Sequence, residues 1–220
     1  TTDALTGLLN RRGTYDQAYR LQAHAIRQNQ PLIALMADID GLKEINDTAG
    51  HSHGDQVLKS SSVAITDALR AGDVVGRVGG DEFIILLPDI NDRHAPGHLA
   101  HRLIEALSQP FFRSDHEFYV SASIGITLYP SDGREGHELV KNADIAMYHA
   151  KKQGRNNYQY YSNELNRVML EKLEIEGKLR RAVENKELEL YYQPQMELAT
   201  GRSCGVESLL RWNDPELGQV

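Results

Sequence analysis

The stretch Val74-Val75-Gly76-Arg77-Val78-Gly79-Gly80-Asp81-Glu82-Phe83-Ile84-Ile85-Leu86-Leu87 decides how this chain reads. Two short apolar runs, Val74 to Val78 and Phe83 to Leu87, flank a Gly-Gly pair, the pattern of a β-hairpin. The glycines permit the positive φ of a tight turn, and two carboxylates follow directly. Taken alone, Gly-Gly-Asp-Glu is also an ordinary exposed turn, so the weight falls on the other acids. Leu32 to Ile39 is a nearly continuous apolar run whose end reads Asp38-Ile39-Asp40, as expected of a strand buried on both faces that turns polar at its far end. Unpaired charge there would be costly, so a bound cation is a natural partner. Packing that strand beside the hairpin brings Asp38, Asp81 and Glu82 together. Hard oxygen ligands from two adjacent strand ends, with positions left open for phosphate oxygens, suit metal-assisted phosphoryl transfer. No GxxxxGK[ST] loop is present to cradle a triphosphate.

Working outward, Arg11 to Arg27 carries apolar or small residues at helical spacing and is closed by Pro31. A helical stretch from about Asp55 to Leu69 precedes the hairpin. After it, His94 to Leu107 reads as helix, Phe118 to Leu128 as a long strand, Glu138 to Lys152 as helix and Asn157 to Tyr161 as a short closing strand. The order αβααββαβαβ predicts an α+β sandwich with helices on an antiparallel-containing sheet, close to a ferredoxin-like palm. From Ser162 to about Asn185, the residues Leu165, Met169, Leu173, Leu179 and Val183 mark one face of a long charged helix, read as an interdomain connector over 162–186. Leu188 to Gln193 and Arg202 to Leu210 then look like the first two strands of a further domain, 187–220, that has no helices to cover it. Thr1 is not Met and Val220 follows a strand-like segment, so both ends look cut.

The chain has 220 residues and a formal charge of −7, enough for one full domain core and part of another. The acidic balance argues against a nucleic-acid surface, which needs clustered Lys and Arg, but not against a small anionic ligand held by a metal and a few local cations. No apolar run reaches the length of about 18 residues that a membrane span needs, and no signal peptide is evident. The single cysteine, Cys204, fits a reducing compartment, with cytoplasm as the default. His94, His98 and His101 could share a helix face but lack carboxylate partners and read as solvated.

Five motifs in order resemble the GGDEF family of bacterial diguanylate cyclases. They are Asp3-Ala4-Leu5-Thr6-Gly7-Leu8-Leu9-Asn10-Arg11, Asp38-Ile39-Asp40-Gly41-Leu42-Lys43-Glu44-Ile45-Asn46-Asp47, Gly50-His51-Ser52-His53-Gly54-Asp55, Gly79-Gly80-Asp81-Glu82-Phe83 and Lys151-Lys152-Gln153-Gly154-Arg155-Asn156. Leu42 stands where the family usually has Phe, a change of packing more than of chemistry. The resemblance spans residues 3 to about 160 and implies a nucleotidyl-cyclase-like palm over 1–161. It implies that Asp38, the Ile39 carbonyl and Asp81 hold Mg2+ (or Mn2+), with Glu82 an adjacent acidic ligand or guanine contact and Asp81 also a proton acceptor. Asn46 and Asp55 would read guanine, since Asn offers donor and acceptor and a carboxylate accepts from the N1–H and N2–H edge. His51 would line the nucleotide pocket, Lys43 would stabilise transition-state charge, and Lys151 and Arg155 would contact terminal phosphates.

Arg70-Ala71-Gly72-Asp73 stands five residues before the Gly-Gly turn, where the family carries an RxxD inhibitory product site; alone it also reads as a surface pair. The tail, Leu188 to Gln195 and Gly205 to Trp212, resembles the opening of an EAL phosphodiesterase domain, with Ser208 replacing the family's Ala. Glu207 would be a metal ligand and Arg211 a phosphate contact of a barrel whose remaining ligands lie beyond this chain. The resemblance thus implies a homodimeric enzyme that joins two GTP into cyclic di-GMP and is inhibited by its product. The alternatives are a catalytically silent GTP- or cyclic di-GMP-binding domain regulating a neighbouring phosphodiesterase, and a phosphodiesterase itself.

Overall fold

Leu32 to Asp40 are buried without exception, the state of a strand flanked on both sides and covered on both faces. The computed structural model describes residues 1–90, 92, 94–113, 116–214 and 218–219. Two units divide the chain, Thr1–Asn166 and Arg167–Val220. The first runs α1 (Arg11–Gln28), β1 (Leu32–Asp40), α2 (Leu42–Ala49), α3 (His51–Ala68), β2 (Val74–Arg77), β3 (Glu82–Pro88), α4 (Ala95–Leu107), β4 (Phe111–Arg113), β5 (His116–Phe118), β6 (Ser121–Tyr129), α5 (Gly136–Lys152), β7 (Tyr158–Tyr160) and the start of α6 (Asn163–Asn185). Its sheet has the order β2-β3-β1-β6-β7. All pairings are antiparallel except β6 with β7. This is the expected α+β palm.

Strand parity sorts the core into two layers. Ile33, Leu35, Ala37 and Ile39 of β1 join Phe83, Ile85 and Leu87 of β3 under α2, α3 and α4. Leu32, Ala34 and Met36 join Ile84 and Leu86 under α1 and α5. The same parity puts Asp38, Asp40 and Glu82 on the α1/α5 side, at the polar strand ends. Asn10 caps α1 by accepting from the Gly13 N–H at 3.0 Å, and a Glu135/Glu138 capping box starts α5, so both helices of this layer have defined beginnings.

Two boundaries are corrected. The helix read from about Asp55 is α3, which starts earlier, at His51, and the separate α2 precedes it, joined at Gly50 with φ 88°. The long strand read from Phe118 begins at Ser121 instead. Phe118 belongs to the separate β4–β5 pair, where it stands opposite Phe111, and this aromatic cross-strand pair packs against the α2/α3/α4 layer.

The second unit holds the rest of α6, then β8 (Leu188–Met196), β9 (Ser203–Asp214) and β10 (Gly218–Gln219), an antiparallel set in the order β10-β9-β8. Ala182 and Trp212 are its buried apolar residues among those described, and the Trp212 indole N–H donates to Glu187 at 3.4 Å. Of the apolar face read on α6, Leu179 and Val183 are exposed, and the side chains of Met169 and Leu173 lie outside the described residues. Among the described residues no helix is long and apolar enough to cross a membrane.

Candidate active site

The β1–β3 register sets Asp38 directly opposite Glu82. The Ile39 N–H donates to the Asp81 carbonyl at 3.0 Å, and the Val78 N–H closes the turn on the Glu82 carbonyl at 2.9 Å. A residue's N–H and C=O leave a strand on the same side, so the Ile39 carbonyl also faces the hairpin. Neither Gly79 nor Gly80 is among the glycines with positive φ, which corrects the conformational reason given above for the pair. Gly79 lies against the Glu82 side chain, and a Cβ there would displace the Glu82 carboxylate. Gly80 has open space around it.

The turn is tied to the start of the chain. Arg77 donates from Nε and Nη2 to the Gly80 carbonyl, at 3.2 and 2.7 Å, and from Nη1 to Asp3 at 3.1 Å. Asp3 also accepts from the Thr6 N–H at 2.9 Å and hydroxyl at 2.7 Å. Burial alone would raise the Asp3 carboxyl, but the Thr6 and Arg77 hydrogen bonds outweigh it and hold the group below its ordinary value. Sequence reasoning missed Arg77, whose position beside the motif was the available signal.

Charge concentrates at these strand ends. Asp38 is 3% exposed, and Lys151 Nζ lies 2.6 Å from its Oδ2. Burial pushes Asp38 up to about 6; the Lys151 hydrogen bond opposes this, while the charges of Asp81 and Asp40 add to it. Glu82 is raised by burial first, then by the negative charges of Asp144 and Asp81, against Lys151 and Arg11. Asp144, on α5, was not singled out in the sequence. Among the described residues no three His, Cys, Asp or Glu side chains converge as a ready cage for a metal. A buried acid titrating this high marks negative charge that Lys151 alone leaves under-compensated. A divalent cation shared by Asp38, the Ile39 carbonyl and the hairpin acids, with phosphate oxygens completing the shell, fits that donor set.

Asp40, two residues on, has a different set of partners. It is 6% exposed and accepts from Ser121 Oγ at 3.0 Å and Ser123 Oγ at 2.9 Å. It also accepts from the Asn156 N–H at 3.4 Å, with Arg155 Nε at 3.6 Å. Its partners are protein.

On the other layer, Asn46 of α2 and the start of α3 are brought together. A Cβ at Gly54 would overlap the Asn46 amide, and the Gly50 N–H donates to the Asn46 carbonyl at 3.0 Å. Asn46 and Asp55 therefore flank one helix corner. Lys43, His51 and Asp55 are exposed, and no described hydrogen bond or ion pair links Lys43 or His51 to the carboxylates.

Arg70 and Asp73 lie at the opposite end of β2 from the turn. Arg70 Nε donates to Asp73 Oδ1 at 3.1 Å, and the pair lines a cavity of about 400 Å3 with Asp89, Asp92 and Arg102. Arg102, on α4, also went unnoticed, because a helix arginine outside any motif carries no signal. A larger cavity, about 770 Å3, is lined by Pro31, Leu128, Tyr129 and Tyr160. It sits at the far end of β1 from Asp38, so charge and not cavity size marks the candidate centre. In the second unit Glu207 and Arg211 share one face of β9, opposite Gln193 and Glu189. Glu207 is exposed.

A family model described as diguanylate cyclase, GGDEF domain, matches residues 1–157, and an EAL domain model matches 176–220. The bifunctional diguanylate cyclase/cyclic di-GMP phosphodiesterase MucR of Pseudomonas aeruginosa is 42% identical over 99% of this chain and 32% of its own length. The cyclic di-GMP phosphodiesterase PdeR of Escherichia coli is 37% identical over 100% of this chain and 32% of its own. The chain thus spans about a third of the curated relatives it matches. Among solved structures, the GGDEF domain of YfiN (TpbB) from Pseudomonas aeruginosa aligns with TM-score 0.75 and 34% identity, over 77% of this chain and 99% of that one. The GGDEF domain of DgcB from Caulobacter crescentus, in complex with c-di-GMP, aligns with TM-score 0.69 and 28% identity, over 73% and 95%.

Proposed function

Because the chain belongs to the GGDEF family, whose domains use divalent metal ions, we propose that it is a diguanylate cyclase that joins two GTP molecules into cyclic di-GMP as a homodimer. The observation that carries this reading is the meeting of Asp38 with Glu82 across β1 and β3, beside Asp81 and under Lys151. Each 3'-hydroxyl attacks the α-phosphate of the facing GTP; two P–O bonds form, two pyrophosphates leave, and each hydroxyl proton passes to a hairpin carboxylate. Asp38, the Ile39 carbonyl, Asp81 and Glu82 would hold Mg2+ or Mn2+. The bound ion would lower the pKa of the attacking hydroxyl and neutralise charge on the phosphates. Asp81 accepts the proton, Lys43 stabilises developing charge, and Lys151 and Arg155 hold the terminal phosphates. Asn46 and Asp55 read the guanine edge, and His51 lines the base pocket.

Arg70 and Asp73 bind product at a distance from the reacting groups and slow synthesis. Glu207 and Arg211 would serve an EAL-type site as metal ligand and phosphate contact. Asp81→Ala and Glu82→Ala, each assayed for cyclic di-GMP formation from GTP and Mg2+, are expected to lower turnover by at least about a thousandfold with the melting temperature little changed. Undiminished synthesis by either variant would remove the carboxylates from the mechanism. A second reading, a silent nucleotide-binding regulator of a phosphodiesterase, is favoured by relatives named for phosphodiesterase alone. It predicts GTP binding without turnover. Retention of Gly79, Gly80, Asp81 and Glu82 supports the first.

A further inference from the structure

Asp38 and Asp40 are two residues apart on one strand face and hold two cations four residues apart at the end of α5, Lys151 and Arg155. Their situations differ. Among the described residues Asp38 has Lys151 as its ion-pair partner, and it lies opposite Glu82. Asp40 is occupied from inside by two serine hydroxyls of β6, one of them on Ser123, which is 0% exposed. From outside it is met by the Asn156 N–H and the Arg155 guanidinium. Those outer donors come from a turn in which Gly154, Arg155 and Asn156 have φ of 105°, 60° and 50°. Consecutive left-handed residues, two of them not glycine, are unfavourable unless their surroundings fix them.

We infer that Asp40 is a positioning residue: anchored by Ser121 and Ser123, it holds the turn after α5 so that the Arg155 guanidinium faces the terminal phosphates of bound GTP. This rests on the proposed cyclase reading for what Arg155 contacts, and on the hydrogen bonds above for how it is held. Geometry favours Asp40 over a purely local cap on the turn, since its carboxylate ties that turn to β6, the neighbour of β1 in the sheet. An arginine 63% exposed at its side chain would otherwise sample many rotamers, and fixing it beforehand lowers the cost of binding.

The test is a double-mutant cycle on the whole chain, read as the dissociation constant for Mg–GTP with kcat alongside. Asp40→Asn keeps the size of the side chain and its serine hydrogen bonds but removes the charge facing Arg155. Asp40→Asn and Arg155→Ala are each expected to weaken binding by about tenfold, and the double variant by no more than either alone. The kcat at saturating GTP is expected to fall much less than the affinity. Independent effects that multiply to about a hundredfold, or an Asp40→Asn affinity within about twofold of the parent, would overturn the inference. Should Asp40→Asn unfold the chain, Ser121→Ala takes its place in the same cycle, with a smaller effect that must still fail to add to Arg155→Ala. If the parent chain binds no GTP, the cyclase reading fails on its own. The Arg155 Nε–H resonance then decides on Asp40 without nucleotide: it should be sharp and exchange-protected in the parent and lose both properties in Asp40→Asn, and an unchanged resonance refutes the hold.

Discussion

Asp38 is asked to be both buried and charged, and its titration records the conflict. Its folded value of about 6 stands above the ordinary 3.8, so the fold binds this proton more tightly than the unfolded chain does. Its contribution to stability is therefore greatest below about pH 3.8 and declines as pH rises towards 6, beyond which the full penalty remains. Without added divalent cation, Asp38→Asn is expected to stabilise the chain by about 2 kcal/mol at pH 7 and by little at pH 4. Urea denaturation at the two pH values measures this, and an equal gain at both would contradict the assignment. Adding Mg2+ should stabilise the parent at pH 7 and leave Asp38→Asn unmoved.

At the level of elements, the hairpin does not stand alone; it is clamped through Arg77 to Asp3 and the turn that Asp3 organises. Arg77→Ala removes both the donors to the Gly80 carbonyl and the partner of Asp3. It is expected to cost about 1–2 kcal/mol of stability and to lower kcat by about tenfold or more, with a smaller change in KM. Asp3→Ala should produce the same pattern, and the two together little beyond either; steady-state kinetics with thermal denaturation reads both. Much of this architecture was legible beforehand. Continuous apolar runs announced β1 and β3, and acids at their ends marked the candidate site. What escaped notice were relations that no local pattern encodes. Gly79 lies against the carboxylate of Glu82, Asp40 is satisfied by serines more than eighty positions away, and Arg102 comes from α4 to line the same cavity as Arg70.

For the molecule as a whole, the first unit separates its proposed chemistry from its proposed inhibition by the length of a strand. The carboxylates lie at one end of the sheet and the Arg70–Asp73–Arg102 cavity at the other. Arg102→Ala is expected to raise the cyclic di-GMP concentration needed for half inhibition by about tenfold while leaving initial rates near those of the parent, as measured by progress curves with added product. An unchanged inhibition curve would exclude Arg102 from that role. The register of β1 has a wider meaning. Side chains on a strand alternate between layers, so sliding β1 by a single position against β3 would send Asp38 beneath the opposite helices and leave Glu82 behind. Such a misassembled chain would keep its circular dichroism and much of its compactness, and under the proposed cyclase reading it would make nothing, so product formation would double as a sensitive assay of whether the central pairing has been found.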